Sequence, residues 1–175
     1  MELKNLTAAV NKYAKYVIQQ SKTNLTKKDN KGGKLYESLS YKIEETSEDL
    51  LIEFMMEQYG VYQDKGVKGT DSNYIENKNS PFSYKSKGGK QGLKGMPPPK
   101  AFDKWTIKKG LAPRDKKGRF LPRKTLDFII ARSIFKKGIR ATGFFSKPLN
   151  AGIKKYQQEF NQALGKDFDE NQKKK

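Results

Sequence analysis

Cysteine and histidine are both missing from the 175 residues. Without them there is no disulfide framework, no zinc finger, no thiol nucleophile and no imidazole base. A Ser-His-Asp triad and a Cys-His pair are excluded with them. The lack of cysteine leaves the redox compartment open, because a thiol-free chain is at ease in any of them. Long apolar runs are missing too: nothing approaches the roughly 20 consecutive residues that a membrane helix needs. The opening residues MELKNLTAAV have no basic stretch followed by an apolar core, so they do not read as a secretory signal. A soluble intracellular protein is the expectation. Aliphatic residues are scarce: Leu, Ile, Val and Phe total 37, just above the level at which a highly charged chain stays disordered. A small core and much weakly packed chain follow. Nine Tyr, ten Phe and one Trp supply enough burial area to argue against full disorder.

Positive charge is abundant, with 37 Lys and Arg against 19 Asp and Glu, but it is not spread evenly. Residues 1–64 carry 9 basic and 10 acidic groups, residues 65–140 carry 21 and 5, and residues 141–175 carry 7 and 4. The middle segment also holds all but one of the prolines and most of the glycines. This is the pattern of an ordinary folded frame interrupted by a basic, loop-rich insertion. Two roles for the surplus stand side by side: solubility until a partner is met, or contact with a polyanion.

From Leu3 to about Asn24, the apolar residues Leu3, Leu6, Val10, Tyr13, Ala14, Val17 and Ile18 recur at helical spacing, with no Gly or Pro between them. Thr26 to Gly33 is a polar breaker, Asp29-Asn30 and Gly32-Gly33 favouring turns. Leu39, Tyr41 and Ile43, then Leu50, Ile52, Phe54 and Met56, alternate with polar or outward positions, which predicts an antiparallel hairpin with one face on the first helix. Gln58 to Gly69 reads as a brief helical turn or strand and then a loop. Thr70 to Met96 is too polar to pack and is expected to be mobile unless a partner orders it.

Met96-Pro97-Pro98-Pro99 stiffens the chain, and Pro99 suits a helix start. Phe102, Trp105, Ile107 and Leu111 predict a short amphipathic helix ending at Gly110. Ala112 to Leu121 is a basic loop. Arg123 to Lys137 predicts a second helix, with Leu126, Ile129, Ile130, Ser133 and Ile134 on one face, Phe128 and Phe135 beside it, and Gly138 as its C-terminal glycine. Pro148 is placed to open a last helix with Leu149, Ile153, Tyr156, Phe160, Leu164 and Phe168 as its stripe, running to about Leu164 and followed by a frayed tail. The fold class is thus α+β: a long N-terminal helix on a small antiparallel sheet, a C-terminal helix, and a large basic insertion.

A catalytic site would have to be made of carboxylates. Glu44, Glu45, Glu48 and Asp49 cluster in the hairpin connector, where a solvated turn explains them, and Asp167, Asp169 and Glu170 lie in the expected tail. Gly88-Gly89 and Gly92-Leu93-Lys94-Gly95 lack the Gly-Lys-Ser/Thr spacing of a phosphate loop. The carboxylates of a two-metal nuclease cannot be assembled. No catalytic residue, cofactor or metal site is expected. In the insertion, Arg114, Lys116, Lys117, Arg119, Arg123 and Lys124 flank Phe120, with Phe82, Phe102 and Trp105 in the same segment. Aromatic residues among cations are what single-stranded nucleic acid binders use. They serve equally as anchors against the chain itself or a neighbouring subunit, and that reading is preferred.

Three stretches together resemble the tail-completion proteins (neck, or head–tail connector) of tailed bacteriophages. Gly33-Lys34-Leu35-Tyr36-Glu37-Ser38-Leu39 resembles a T-G-R-L-x-x-S-I type motif, with Gly32 where the family has Thr. Tyr59-Gly60-Val61-Tyr62-Gln63-Asp64-Lys65-Gly66-Val67-Lys68-Gly69 resembles Y-A-x-Y-V-E-F-G-T, with Lys65 in place of an aromatic. Phe144-Phe145-Ser146-Lys147-Pro148-Leu149 resembles P-F-L-x-P-A. The 74 residues between Gly69 and Phe144 far exceed the short loop of the family. The resemblance covers residues 1–69 and 144–168 and implies that they form the core, while the residues themselves give an insertion at 70–143 with two short helices and a flexible tail at 169–175. It implies a non-enzymatic virion protein that forms a homo-oligomeric ring and lines or seals the genome channel. The ring would stand between portal, connector or tail proteins, and the chain would be found in the host cytoplasm during assembly. Phe102, Trp105, Phe120, Phe144, Phe145, Pro148 and Leu149 are the expected contacts with neighbouring subunits. Arg114, Lys116, Lys117, Arg119, Arg123 and Lys124 would meet acidic partners or, with lower rank, genomic DNA in transit. The alternative is a basic protein that grips nucleic acid phosphates through residues 70–143.

Overall fold

The structure, a computed structural model, describes residues 3–27, 33–46, 49–71, 73–74 and 78–173. Helix α1 spans Lys4–Thr26. Its stripe of Ala9, Val10, Tyr13, Ala14, Val17, Ser21 and Leu25 is buried, as its 3.6-residue period requires. The turn expected at Asp29-Asn30 and Gly32 falls outside the described residues. A short helix α2 (Lys34–Ser38) leads into β1 (Ser40–Glu45), which pairs antiparallel with β2 (Leu50–Met55). The register sets Tyr41 opposite Phe54 and Ile43 opposite Ile52, all four half-buried, while Ser40, Lys42, Leu51, Glu53 and Met55 face outward. The chain is therefore α+β, with the long N-terminal helix against a two-stranded sheet and a C-terminal helix.

Helix α6 occupies Ser146–Lys173 and runs antiparallel to α1. Asn5 meets Asp167, Lys12 meets Glu159 at 2.6 Å, Tyr13 meets Tyr156 and Phe160, and Asn24 donates to the carbonyl of Phe144. Tyr13 joins three elements, its ring lying edge-on to Phe54, Tyr156 and Phe160 at 5.7–6.2 Å. Burial raises its phenol above the usual range. At Gly152 the helices come so close that a Cβ would sit 2.7 Å from the Tyr13 ring. The stripe expected on α6 is only partly buried: Ile153 and Phe168 are exposed, whereas Pro148, Gly152, Ala163 and Asp167 are buried. The helix does not end near Leu164 in a flexible tail. It continues to Lys173, because Asp167 is tied to the start of α1.

Two compact units account for the chain, one of residues 1–64 with 143–175 and one of 65–142. The expected boundaries at 69/70 and 143/144 differ by a few residues, and pairing explains the shift. Helix α3 (Tyr59–Lys65) closes the first unit, and β3 (Val67–Lys68) pairs antiparallel with β4 (Gly138–Ile139) inside the second.

The second unit is built around α5 (Arg123–Lys137). Its terminal carbonyls at Phe135 and Lys136 accept the N–H groups of Thr70 and Asp71. Gly138 then turns the chain with φ +86°, and a Cβ there would fall 2.1 Å from the Val67 carbonyl oxygen. The segment expected to be mobile is partly ordered: Lys68 donates to Phe82, Tyr84 donates to Lys68, and the buried Ser80 hydroxyl donates to Gly66 at 2.8 Å. Tyr84 packs beside Phe135, with ring centres 5.8 Å apart, and burial raises its phenol above the usual range. After a 3-10 turn at Pro99–Phe102 comes α4 (Asp103–Lys108), which buries Thr106 rather than the expected Trp105 and Ile107. On α5 the buried line is Asp127, Ala131 and Phe135, and Ile129 is exposed. The buried Thr106 hydroxyl lies 2.8 Å from the Asp103 carbonyl and 3.2 Å from Asp127 Oδ1, so a polar pair is buried between α4 and α5.

Candidate interaction surface

In the first unit, the three stretches that resemble the phage family converge although they are far apart in sequence. Leu35 and Leu39 from the first and Phe144 from the third form one buried cluster with Leu25. Gly60 of the second is buried so tightly that a Cβ would lie 2.6 Å from Leu35 Cδ1. Asp64, also of the second, is 5% exposed and accepts the N–H groups of Phe145 (2.8 Å) and Ser146 (3.2 Å), satisfying donors where α6 begins. Asp64's carbonyl accepts the N–H of Gly143.

The start of α1 is satisfied in the same way from a distance. Leu3, at its N-cap, supplies no side-chain acceptor. Asp167 instead accepts the N–H groups of Asn5 (2.9 Å) and Leu6 (2.8 Å) and the Asn5 side-chain amide (2.8 Å). Glu45 accepts from the Leu3 N–H and the Thr7 hydroxyl. Carboxylates near a helix N-terminus are favoured by the dipole as well as by the hydrogen bonds. The sequence places Asp167 in a frayed tail and Asp64 inside the second stretch, and gives neither a capping role. The one available signal was a carboxylate inside an apolar period, Asp167 following Phe160, Ala163 and Leu164 at helical spacing. Among the described residues, no three Asp or Glu side chains gather as metal ligands would, and no helix is long and apolar enough to cross a membrane.

The residues expected at subunit contacts differ in exposure. Phe144 is 1% exposed and Pro148 is buried, so both belong to their own unit's core. Phe145 is half-buried with its ring 5.4 Å from Phe54, and Leu149 is half-buried with its carbonyl accepting the Tyr13 hydroxyl. Both keep part of their surface accessible. Trp105 and Phe120, in the second unit, are 48% and 64% exposed, while Phe102 is half-buried at the end of its 3-10 turn.

The basic loop is a tight hairpin turn. Leu121 donates to the Pro113 carbonyl, Arg114 and Phe120 form a bridge, and Asp115 organises the tip. The Asp115 carboxylate accepts the N–H groups of Lys117 and Arg119, each at 2.9 Å, and the Arg119 Nε at 2.8 Å. The backbone N–H of Arg119, then its side chain and the Lys117 N–H, hold that carboxyl below its usual range, against some desolvation. The Arg114 guanidinium lies 3.8 Å above the Phe120 ring and donates to the Gly118 carbonyl. The hairpin thus gathers Arg114, Lys116, Lys117, Arg119 and Phe120. Arg123 and Lys124 open α5 beyond it, with Arg123 3.6 Å from Asp103.

A second feature of this unit was not foreseen. A groove of about 340 Å³ runs along α5, lined by Tyr74, Phe128 and Ile129 and edged by Asp71, Arg132, Ser133, Lys136 and Lys137. Lys137 Nζ sits 5.1 Å from the centre of the Tyr74 ring. Leu111 and Ile107 are exposed as well.

No family model, no curated protein and no solved structure matches the chain.

Proposed function

We propose that this chain is a structural protein of the neck or tail of a tailed phage, a ring-forming adaptor between head and tail that lines or seals the genome channel. The observation that carries the reading is the convergence of the three resembling stretches: Leu35 and Leu39, Gly60 and Asp64, and Phe144 with Phe145 lock together as one packed, capped core. The division of charge supports it too. Residues 1–64 with 143–175 hold 16 basic and 14 acidic groups, and residues 65–142 hold 21 and 5, so frame and insertion are electrically distinct. An adaptor acts by binding alone, and its insertion carries exposed Trp105 and Phe120 as anchors for a neighbouring subunit or ring. In this reading its partners are further copies of itself and adjoining portal, connector or tail proteins, and it resides in the virion neck after assembly in the host cytoplasm. Immunogold electron microscopy of virus particles tests the proposal. Label at the head–tail junction is expected, and particles that lack the chain overturn it.

The hairpin favours a second reading, in which residues 70–143 bind nucleic acid. Phe120 is 64% exposed, with the Arg114 guanidinium on one side of its ring and Lys116, Lys117 and Arg119 in the same turn, which leaves its other side for a stacked base. Such binding would weaken steeply from low to physiological salt, as counterion release demands. Filter binding of a single-stranded oligonucleotide across that range separates the readings. Tight, salt-steep binding by the free chain supports this second reading, and weak, salt-flat binding removes it.

A further inference from the structure

We infer that the α5 groove of one copy receives the outward face of the β1–β2 hairpin of the next. The inference rests on the ring-forming reading and names the surfaces that would carry it. On β2, Leu51 and Met55 share the solvent face with Glu53 between them, and they are 50% and 44% exposed. Across the register, Leu51 lies opposite Glu44 and Glu53 lies opposite Lys42. Lys42 is paired with Glu44 and lies opposite Glu53, so Glu53 is partly answered within the hairpin, and the exposed Glu57 follows Met55 two residues on. Residues 37–64 hold eight acidic groups and one basic, of which Asp64 is buried at the start of α6, Glu45 accepts from the start of α1 and Glu44 is paired with Lys42.

The groove is the converse. Its floor is Tyr74, Phe128 and Ile129, of which Ile129 is 51% exposed, and Arg132, Lys136 and Lys137 outnumber Asp71 at its rim. It lies in a unit whose basic groups outnumber acidic ones four to one. Apolar anchors ringed by opposite charge on the two sides are what desolvated contacts combine: the apolar groups supply affinity and the charges supply register and rate. Both halves of this match are on the same polypeptide, which is why a second copy is the occupant argued for. Because the surfaces differ, the contact is heterologous. It propagates from copy to copy and ends only when rotation closes a ring.

Two surface variants test this. Leu51→Lys with Glu53→Lys spoils the hairpin face and leaves the groove intact. Ile129→Glu with Lys136→Glu spoils the groove and leaves the hairpin intact. All four side chains lie at the surface or half-exposed, and circular dichroism checks that each variant folds. In sedimentation velocity, wild type is expected to form higher oligomers. Each variant alone is expected to stay monomeric, with its self-association weakened about tenfold or more. An equimolar mixture of the two is expected to give a dimer and nothing larger, since one intact hairpin meets one intact groove and both outer faces are dead. If wild type assembles and the variants assemble equally well, these surfaces are wrong while ring formation stands. If wild type stays monomeric at every concentration, the docking itself is overturned. If it assembles as described but is missing from virus particles, the docking stands and the neck reading falls.

Discussion

Asp167, near the end of α6, accepts the backbone N–H of Leu6 in the first turn of α1 at 2.8 Å, a bond that spans 161 residues of sequence. With the bond from Asn5, it gives α1 the cap its own N-terminal residues do not supply. Asp167→Ala leaves those N–H groups without an acceptor in a site that is almost fully buried. The expected cost is about 2–3 kcal/mol. Asp167→Asn keeps one acceptor oxygen and should lose about half as much. Urea unfolding of the two variants measures both, and hydrogen exchange at residues 5–7 should rise in the alanine variant first.

Phe144 and Phe120 are both phenylalanines of the expected contact set, and the structure separates them. Phe144→Ala removes a side chain from the centre of the core and is expected to cost about 3–5 kcal/mol. Phe120→Ala, at 64% exposure, should change stability by no more than about 0.5 kcal/mol. Thermal melting distinguishes them, and equal losses would contradict the assignment.

Two glycines in α6 should respond in opposite directions. A Cβ at Gly165 meets nothing within 4 Å, so Gly165→Ala gains helix propensity and should stabilise by about 0.5–1 kcal/mol. Gly152→Ala has the same propensity to gain but drives a methyl into the Tyr13 ring, and a net loss of about 1–3 kcal/mol is expected. Denaturant midpoints of the single variants give both signs.

Helix α1 and the inward face of the β1–β2 hairpin were legible in the sequence because each has one wet and one dry face, whereas α6 was legible as a helix but buries Gly152, Ala163 and Asp167 in place of Ile153 and Phe168. Tyr41 and Ile43 opposite Phe54 and Ile52 follow from alternation. Helix α5 was legible as a helix but not in its orientation. It carries apolar residues all around, and the side it buries is Asp127, Ala131 and Phe135, with Ile129 outward. The caps were hidden for a different reason. Asp64 and Asp167 bond to backbone 81 and 161 residues away, and no local pattern encodes such partners. Ser80 to Tyr84 escaped notice likewise, because the strand they follow is only two residues long. The hairpin at Pro113–Leu121 was recognised as basic, while its rigidity came from one carboxylate, Asp115.

That carboxylate makes the hairpin sensitive to acid. Its folded-state pKa is depressed, so its contribution is complete at neutral pH, above the ordinary carboxylate value, and is lost as pH falls through the lower folded value. The amide resonances of Lys117 and Arg119 should therefore hold their positions down to mildly acidic solution and collapse toward random-coil shifts below the ordinary Asp range. Asp115→Ala should show the collapsed pattern already at neutral pH.

Sedimentation velocity of the purified full-length chain, run across a concentration series with and without a single-stranded oligonucleotide, tests the claim on which the rest depends. The account predicts stepwise growth to one closed species of fixed copy number, indifferent to the oligonucleotide at physiological salt. A chain that stays monomeric at every concentration and shifts only when the oligonucleotide is added would contradict it.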